Sequence, residues 1–234
     1  MPFTYEHPRP AVTADVVLFT LRARDLAVLL VRRGKAPFKG CWALPGGFVD
    51  KNEPLDRAAS RELEEETGAT GILLEQLAAF GDPGRDPRGH TVTVAYYSFV
   101  HTETEVRAGD DAAEARFIPL AELPIPHPSP APRRRGKKVE PITLAFDHDR
   151  IIQLAWSRLQ ERLLDPTRPS RFDLVPPQFT LTELQHVYEA VLGRAIDKRN
   201  FRSRLIARGM VEEVNQQRRG RHRPAQLYRW TMRG

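Results

Sequence analysis

Cysteine is almost missing from this chain: Cys41 is the single one in 234 residues. No internal disulfide can form, and the core must hold by burial alone. Long apolar runs are missing too. Asp15-Val-Val-Leu-Phe-Thr-Leu21 and Leu26-Ala-Val-Leu-Leu-Val31 fall far short of the roughly 20 residues that a membrane span needs. The first ten residues, M-P-F-T-Y-E-H-P-R-P, have neither the basic flank nor the apolar stretch of a signal peptide. These absences lead to the expectation of a soluble, cytoplasmic protein with no membrane partner.

The first two thirds of the chain also lack a net charge of either sign. Residues 1–165 hold 22 Lys and Arg against 24 Asp and Glu, whereas residues 166–234 hold 14 against 6. The whole surplus of +6 therefore lies in the last third. Between the two parts runs D-P-T-R-P-S-R-F-D-L-V-P-P, residues 165–177, whose four prolines cannot continue a helix or sit centrally in a sheet. The expected organisation is a near-neutral domain over 1–165, a proline-rich linker over 166–178 and a basic module over 179–234. Clustered positive charge is a footprint for nucleic acid, and it is also what a solvated surface looks like.

Within the first part, β-branched runs at 15–21 and 26–32 flank Arg22-Ala-Arg-Asp25 and predict a hairpin. Further strands are expected at 72–80, 92–100 and 115–118. Helical spacing replaces alternation twice, in Leu55, Ala59 and Leu63, and in Ile151, Leu154, Ala155, Leu159 and Leu163. The domain is therefore expected to be mixed α and β. The proline-dense stretch from Pro124 to Pro132 and the R-R-R-G-K-K run after it predict a surface loop.

On the first helix stands R-E-L-E-E-E-T-G, residues 61–68. Glu62, Glu65 and Glu66 fall at i, i+3 and i+4 and share one face, beside the Leu55, Ala59, Leu63 stripe, while Glu64 points away. Carboxylates gathered at a buried border repel one another unless neutralised, and hard divalent cations such as Mg2+ or Mn2+ are their natural oxygen-ligand partners. A solvated acidic helix face is the other reading. Upstream, L-P-G-G-F-V-D-K-N-E from Leu44 to Glu53 places Gly46 and Gly47 in an expected close backbone turn.

Gly47, Glu53, Arg61, Glu62, Leu63, Glu65, Glu66 and Gly68 together resemble the Nudix box, a loop-helix-loop pattern, at each of its charged and glycine positions. Ala69 departs from it where the family prefers a bulkier aliphatic residue. The resemblance implies a Nudix α/β/α sandwich with a mixed sheet. It also implies hydrolysis of a nucleoside diphosphate linked to another group, with Glu62, Glu65 and Glu66 holding Mg2+ or Mn2+ and Arg61 and Glu53 supporting the loop and helix as an ion pair. Glu53, Arg61, Glu62, Glu65 and Glu66 are thus the expected catalytic set, the attacking species being water activated by the metal. The base that orients this water is a box glutamate or one of Asp110, Asp111 and Glu114.

The loop F-G-D-P-G-R-D-P-R-G-H, residues 80–90, carries two arginines in a stiffened setting suited to phosphate recognition. Its R-D-P-R-G run resembles a segment of Nudix proteins that bind ADP-ribose. Arg85 and Arg88, with Gly46, Gly47 and Tyr97, form the expected ligand-binding set. Pairing of the arginines with Asp82 or Asp86 is the alternative. Phe19, Phe38 and Trp42, like Tyr97, suit either an adenine stack or the core.

The basic module opens with Leu181, Leu184, Val187, Tyr188, Val191 and Leu192 at helical spacing and Gly193 as a stop. Asp197 is an expected N-cap for a second helix. There Phe201, Leu205 and Ile206 face inward and leave Lys198, Arg199, Asn200, Arg202 and Arg204 outside. The runs 211–214 and 225–230 predict a two-stranded wing whose tip carries Arg218, Arg219, Arg221 and Arg223. The second helix and the wing are the expected DNA-binding surface, with the helix in the major groove. Some winged helices instead bind proteins.

A Nudix domain followed by L-T-x-L-Q-x-V-Y-E at Leu181, D-K-R-N-F-R at Asp197 and R-P-A-x-L-Y-R-W at Arg223 resembles the NrtR family of Nudix-related regulators of NAD metabolism throughout the chain. The resemblance implies a dimeric repressor of NAD biosynthesis or salvage genes. It would bind double-stranded DNA at a pseudo-palindromic operator and be released by ADP-ribose or a related nucleotide. A sugar effector, or an ADP-ribose pyrophosphatase with an accessory basic domain, remains as an alternative.

Overall fold

The structure is a computed structural model that describes residues 6–7, 9–101, 112–127, 141–164, 174–218 and 224–231. Strand β1 (Ala11–Arg22) turns directly into β2 (Asp25–Arg33) through Ala23 and Arg24, which both adopt positive φ, 49° and 78°. Such a two-residue turn matches the right-handed twist of its strands and is expensive for side chains other than glycine. The hairpin expected over Arg22–Asp25 is present, at the tightest length a hairpin allows.

Short β3 (Trp42–Ala43) and β4 (Gly46–Phe48) lead to helix α1 (Leu55–Thr67), followed by β5 (Glu75–Phe80), β6 (Thr91–Phe99) and β7 (Ala112–Pro119). The mixed sheet runs β3-β2-β1-β6-β5, with β4 pairing β1 and β7 pairing β2; β1 and β6 are parallel. A strand buried on both faces sends alternate residues to opposite sides. Ala14, Val16 and Leu18 of β1 meet Ala58, Ala59 and Leu63 of α1. Val17 and Phe19 meet Ile151, Ala155 and Leu159 of helix α2 (His148–Leu164) across the sheet. The result is the expected α/β/α sandwich.

Helix α3 (Leu181–Leu192) begins with a capping box in which Thr180 and Glu183 exchange side-chain and backbone bonds, and it ends at left-handed Gly193. Asp197 accepts Asn200 N at 2.7 Å to start α4 (Lys198–Ala207), and β8 (Val211–Arg218) pairs antiparallel with β9 (Ala225–Trp230). These elements form a winged helix. It is not separated from the sandwich: Leu159, Leu163, Leu184, Val187 and Val191 share one buried cluster. Leu174 and Val175, near the end of the proline-rich stretch, are buried in that same cluster. Among the described residues no helix is long and apolar enough to cross a membrane.

Candidate functional site

Helix α1 presents its glutamates unequally. Leu63 and Thr67 are buried, Glu62 and Glu66 half-buried, and Glu65 exposed like Glu64. The expectation that Glu65 borders the buried side is corrected: a position one residue before Glu66 is rotated about 100° from it, toward solvent. Arg61 binds the set together. It donates Nε to Glu53 Oε1 at 2.8 Å and NH2 to Glu53 Oε2 at 2.9 Å, and its NH1 reaches Glu62 Oε1 at 2.7 Å and Glu65 Oε2 at 3.1 Å. Its NH2 also donates to the Phe48 carbonyl at 3.1 Å, fastening the loop to the helix.

This asymmetry separates the acids electrically. The forked bond from Arg61, with the Asp50 amide, lowers the Glu53 carboxyl to about 2. Burial raises Glu62 even with Arg61 beside it. Burial also raises Glu66 to about 7, against the one hydrogen bond it accepts from Gly46 N, at 3.1 Å; nearby Glu62 and Asp15 push the same way. Glu66 therefore marks the place in the cluster where positive charge is most wanted.

Gly46 and Gly47 are not in a turn, as expected, but in β4, paired with Asp15 and Ala14 of β1. Their small size is required by close approach. A Cβ on Gly47 would stand 2.5 Å from the Glu62 carboxylate, and one on Gly46 would stand 2.3 Å from the Ala14 carbonyl oxygen. Beside them opens a cavity of about 120 Å³ lined by Asp15, Arg33, Gly46, Gly47, Phe48, Arg85, Arg88, Phe146 and His148, among others.

The two loop arginines take different positions. Arg85 is buried and holds Asp147, just before α2, through Nε at 3.1 Å and NH2 at 2.6 Å, with Asp15 at 3.9 Å. Arg88 is half-exposed, doubly bonded to Asp86, and its guanidinium lies 5.0 Å from the Phe48 ring and 5.7 Å from that of Phe146. Pairing with Asp86 thus applies to Arg88, while Asp82 takes Arg150 instead. Both arginines line the cavity despite these partners.

Tyr97 does not. It is fully buried in the sheet core, its hydroxyl joined to Glu75 and Arg162 at 3.2 Å each, because residue 97 falls on the α2 side of β6. Phe19 and Trp42 are likewise core, and exposed Phe38 packs edge-on against Phe146. Asp110 and Asp111 lie outside the described residues. Glu114 pairs weakly with Arg116 at 3.5 Å in another cavity, with Trp42 and Thr143.

Sequence reasoning missed Asp15, Arg33, Asp147 and His148. Asp15 is buried in β1, and its one signal is an acid inside an apolar strand. His148 accepts Leu44 N at 2.9 Å through Nδ1, and burial lowers its pKa, so it is held neutral. No periodicity marks Asp147 or His148, since the contact of one with Arg85 and of the other with the cavity follows from how α2 docks.

Among the described residues no three His, Cys, Asp or Glu side chains gather as a ready metal-holding group. Arg61 stands among the acids instead. Their chemistry is nonetheless that of hard oxygen donors, and burial raises Glu66 more than the nearby Arg33 lowers it. The donor set fits a hard divalent ion in kind.

On the winged helix, Phe201 and Leu205 are buried and Lys198, Arg199, Asn200 and Arg204 exposed. Ile206, expected inside, is 52% exposed, since it follows Leu205 by one residue and turns outward. Arg202 is half-buried and donates to Thr182 Oγ1 at 2.8 Å. Arg218 bonds Glu183 and the Gln178 carbonyl, anchoring the wing to α3. Arg219, Arg221 and Arg223 lie outside the described residues.

Comparison with known proteins accords with both halves of this geometry. Residues 9–140 match the NUDIX domain model, and residues 171–230 match that of the NrtR DNA-binding winged helix domain. The chain is 36% identical over 229 residues to the ADPR responsive transcriptional repressor NtrR of Acinetobacter baylyi, covering 97% of this chain and 84% of that one. The crystal structure of Shewanella oneidensis NrtR complexed with a 27mer DNA superposes with a TM-score of 0.69 at 34% identity, over 94% of this chain and 93% of that one. The Nudix domain of the same protein complexed with ADP ribose gives 0.55 at 34% identity, over 65% and 90%. With the Nudix sandwich, the arginine-bearing winged helix and this full-length similarity in agreement, the chain belongs to the NrtR family.

Proposed function

We propose that this protein is a DNA-binding transcriptional repressor whose Nudix domain senses ADP-ribose or a closely related nucleotide. The observation that carries this reading is a single buried cluster joining two different surfaces. One is an arginine- and aspartate-lined cavity; the other is the α4 face with Lys198, Arg199, Asn200 and Arg204 exposed. Arg85 and Arg88 supply positive charge for a diphosphate, and Phe48 and Phe146 give the cavity mouth an aromatic rim. In the reading we favour, residues 1–165 respond to the ligand, residues 179–234 bind DNA, and NAD biosynthesis or salvage genes are the targets. The protein would act in the cytoplasm as a homodimer on a pseudo-palindromic operator, matching two-fold symmetry with two half-sites. Binding of labelled duplexes by fluorescence anisotropy, with and without ADP-ribose, tests it. A protein with no preference over random duplex at physiological salt, or no response to ADP-ribose, refutes it.

Hydrolysis of ADP-ribose to AMP and ribose 5-phosphate is a second reading, favoured by the connected set Glu53, Arg61, Glu62, Glu65 and Glu66. Glu62, Glu65 and Glu66 would hold Mg2+ or Mn2+. When bound, such an ion supplies neutralisation of the diphosphate oxygens and activation of water. Glu53 holds Arg61, and Arg61 orients Glu62 and fixes the Phe48 carbonyl. Gly47 leaves the Glu62 carboxylate its place. Arg85 and Arg88 orient the phosphates. AMP release by the wild type, absent from Glu65→Gln/Glu66→Gln, supports this reading; equal background from both refutes it.

A further inference from the structure

Helix α2 touches both ends of the proposed response, and its contacts at each end are specific. At its start, Asp147 is held by two bonds from Arg85, which lines the cavity, and His148 lines the same cavity while accepting Leu44 N. Toward its far end, the Trp156 indole N–H donates to the Val191 carbonyl at 2.7 Å and Gln160 Nε2 donates to the same oxygen at 3.0 Å. Val191 lies in the last turn of α3, where backbone carbonyls lack partners inside the helix. The turn beyond it is fastened to α3, since Glu189 Oε1 accepts Ile196 N at 3.0 Å and Gln185 Nε2 at 2.9 Å. The rings of Tyr188 and Phe201, centred 5.0 Å apart, join α3 to α4. One continuous helix thus connects a cavity arginine to the end of α3, and α3 carries the arginine-bearing helix.

We propose that α2 transmits occupancy of the cavity to the winged helix. The proposal rests on the reading of the cavity as an ADP-ribose sensor and adds how the signal leaves it. Phosphate oxygens entering beside Arg85 compete with Asp147 for the guanidinium. Asp15, at 3.9 Å from Arg85, adds negative charge that makes any new anion displace an old one. With its start released, α2 re-seats, and the displacement is delivered at Val191 by two donors sharing one acceptor. Helix shifts of about 1–2 Å at packed interfaces are the ordinary scale of such switching. The ligand drives it because its contact with Arg85 differs between the two arrangements.

The test uses the full-length protein, a duplex enriched by it from a randomised pool, and ADP-ribose. DNA affinity is measured with and without ligand, and ligand affinity by calorimetry. In Trp156→Phe/Gln160→Leu the ADP-ribose affinity stays within about twofold of wild type, while the ligand-induced loss of DNA affinity shrinks at least threefold. Asp147→Asn weakens the competitor for Arg85. It therefore tightens ADP-ribose at least threefold and lowers DNA affinity in the absence of ligand. An unchanged ligand effect in the double variant overturns the proposal. Should that variant lose cooperative melting, Asp147→Asn decides, and no change or the opposite sign overturns the proposal. A wild-type protein whose DNA affinity ignores ADP-ribose instead overturns the sensor reading, and transmission with it.

Discussion

Glu66 is the side chain whose environment makes the sharpest demand, and Glu66→Gln removes it without changing shape. Burial raises this carboxyl from 4.5 to about 7. That rise, at about 1.4 kcal/mol per pH unit, corresponds to roughly 3 to 4 kcal/mol as an upper value. For a group with a raised folded-state pKa, the contribution to stability is complete below about pH 4.5 and lost as pH rises through about 7. The metal-free wild type is therefore expected to lose on the order of 3 kcal/mol between pH 4.5 and pH 8 from this residue. Neutral Gln, still able to accept from Gly46 N, loses none of it. His148 opposes this trend: its depressed pKa means stability is present above about 6.5 and lost as pH falls. Because His148 is present in both proteins, it cancels in their difference. Urea unfolding of both proteins in chelator at pH 5, 6, 7 and 8 should show Glu66→Gln gaining on the wild type as pH rises. The gain at pH 8 is on the order of 3 kcal/mol in the unfolding free energy that the urea titration reads. Parallel profiles would refute the assignment of Glu66 as a desolvated acid.

Mg2+ or Mn2+ at pH 8 should raise the Tm of the wild type but not that of Glu62→Gln/Glu66→Gln, because only the former has the carboxylates to neutralise; equal shifts in both count against a metal site there. Gly47→Ala must displace the Glu62 carboxylate by about 0.9 Å from a 2.5 Å clash to ordinary contact, and a misplacement near 1 Å costs about 100-fold in rate. AMP release measures this if hydrolysis is present. Arg204→Ala should weaken DNA binding and flatten its log salt dependence by about one unit while leaving ADP-ribose affinity intact. An unchanged titration refutes the role of the α4 face. Arg202→Ala, by contrast, removes the bond to Thr182 and should lower winged-helix stability by roughly 0.5–1.5 kcal/mol, read by denaturant melting.

Much of the architecture was legible from local pattern. The β1–β2 hairpin, the α1 stripe and the N-cap Asp197 each depend on neighbours a few residues away, so spacing and propensity specify them. The Arg61–Glu53 pair was implied by the resemblance to the Nudix box, and it forms within one loop-helix unit. Ile206 and Glu65 were misjudged at the edges of helix faces, where one residue of rotation exchanges core for solvent. Tyr97 was misjudged because an aromatic residue in a strand buried on both sides gives no sign of which side it faces.

The sequence by itself determined the elements, the acidic helix, the glycines beside it and the basic final third, since all of these are set by residue type and short spacing. Tertiary structure alone decided which groups meet. Asp15, Arg85 and the adjacent Asp147 and His148 come from three separate segments and meet only once α2 packs across the sheet. The same packing brings Trp156 and Gln160 to Val191 and makes one buried cluster of two units that the charge pattern had set apart. Contacts between distant segments depend on how apolar faces dock, and that is a property of the whole chain rather than of any stretch within it.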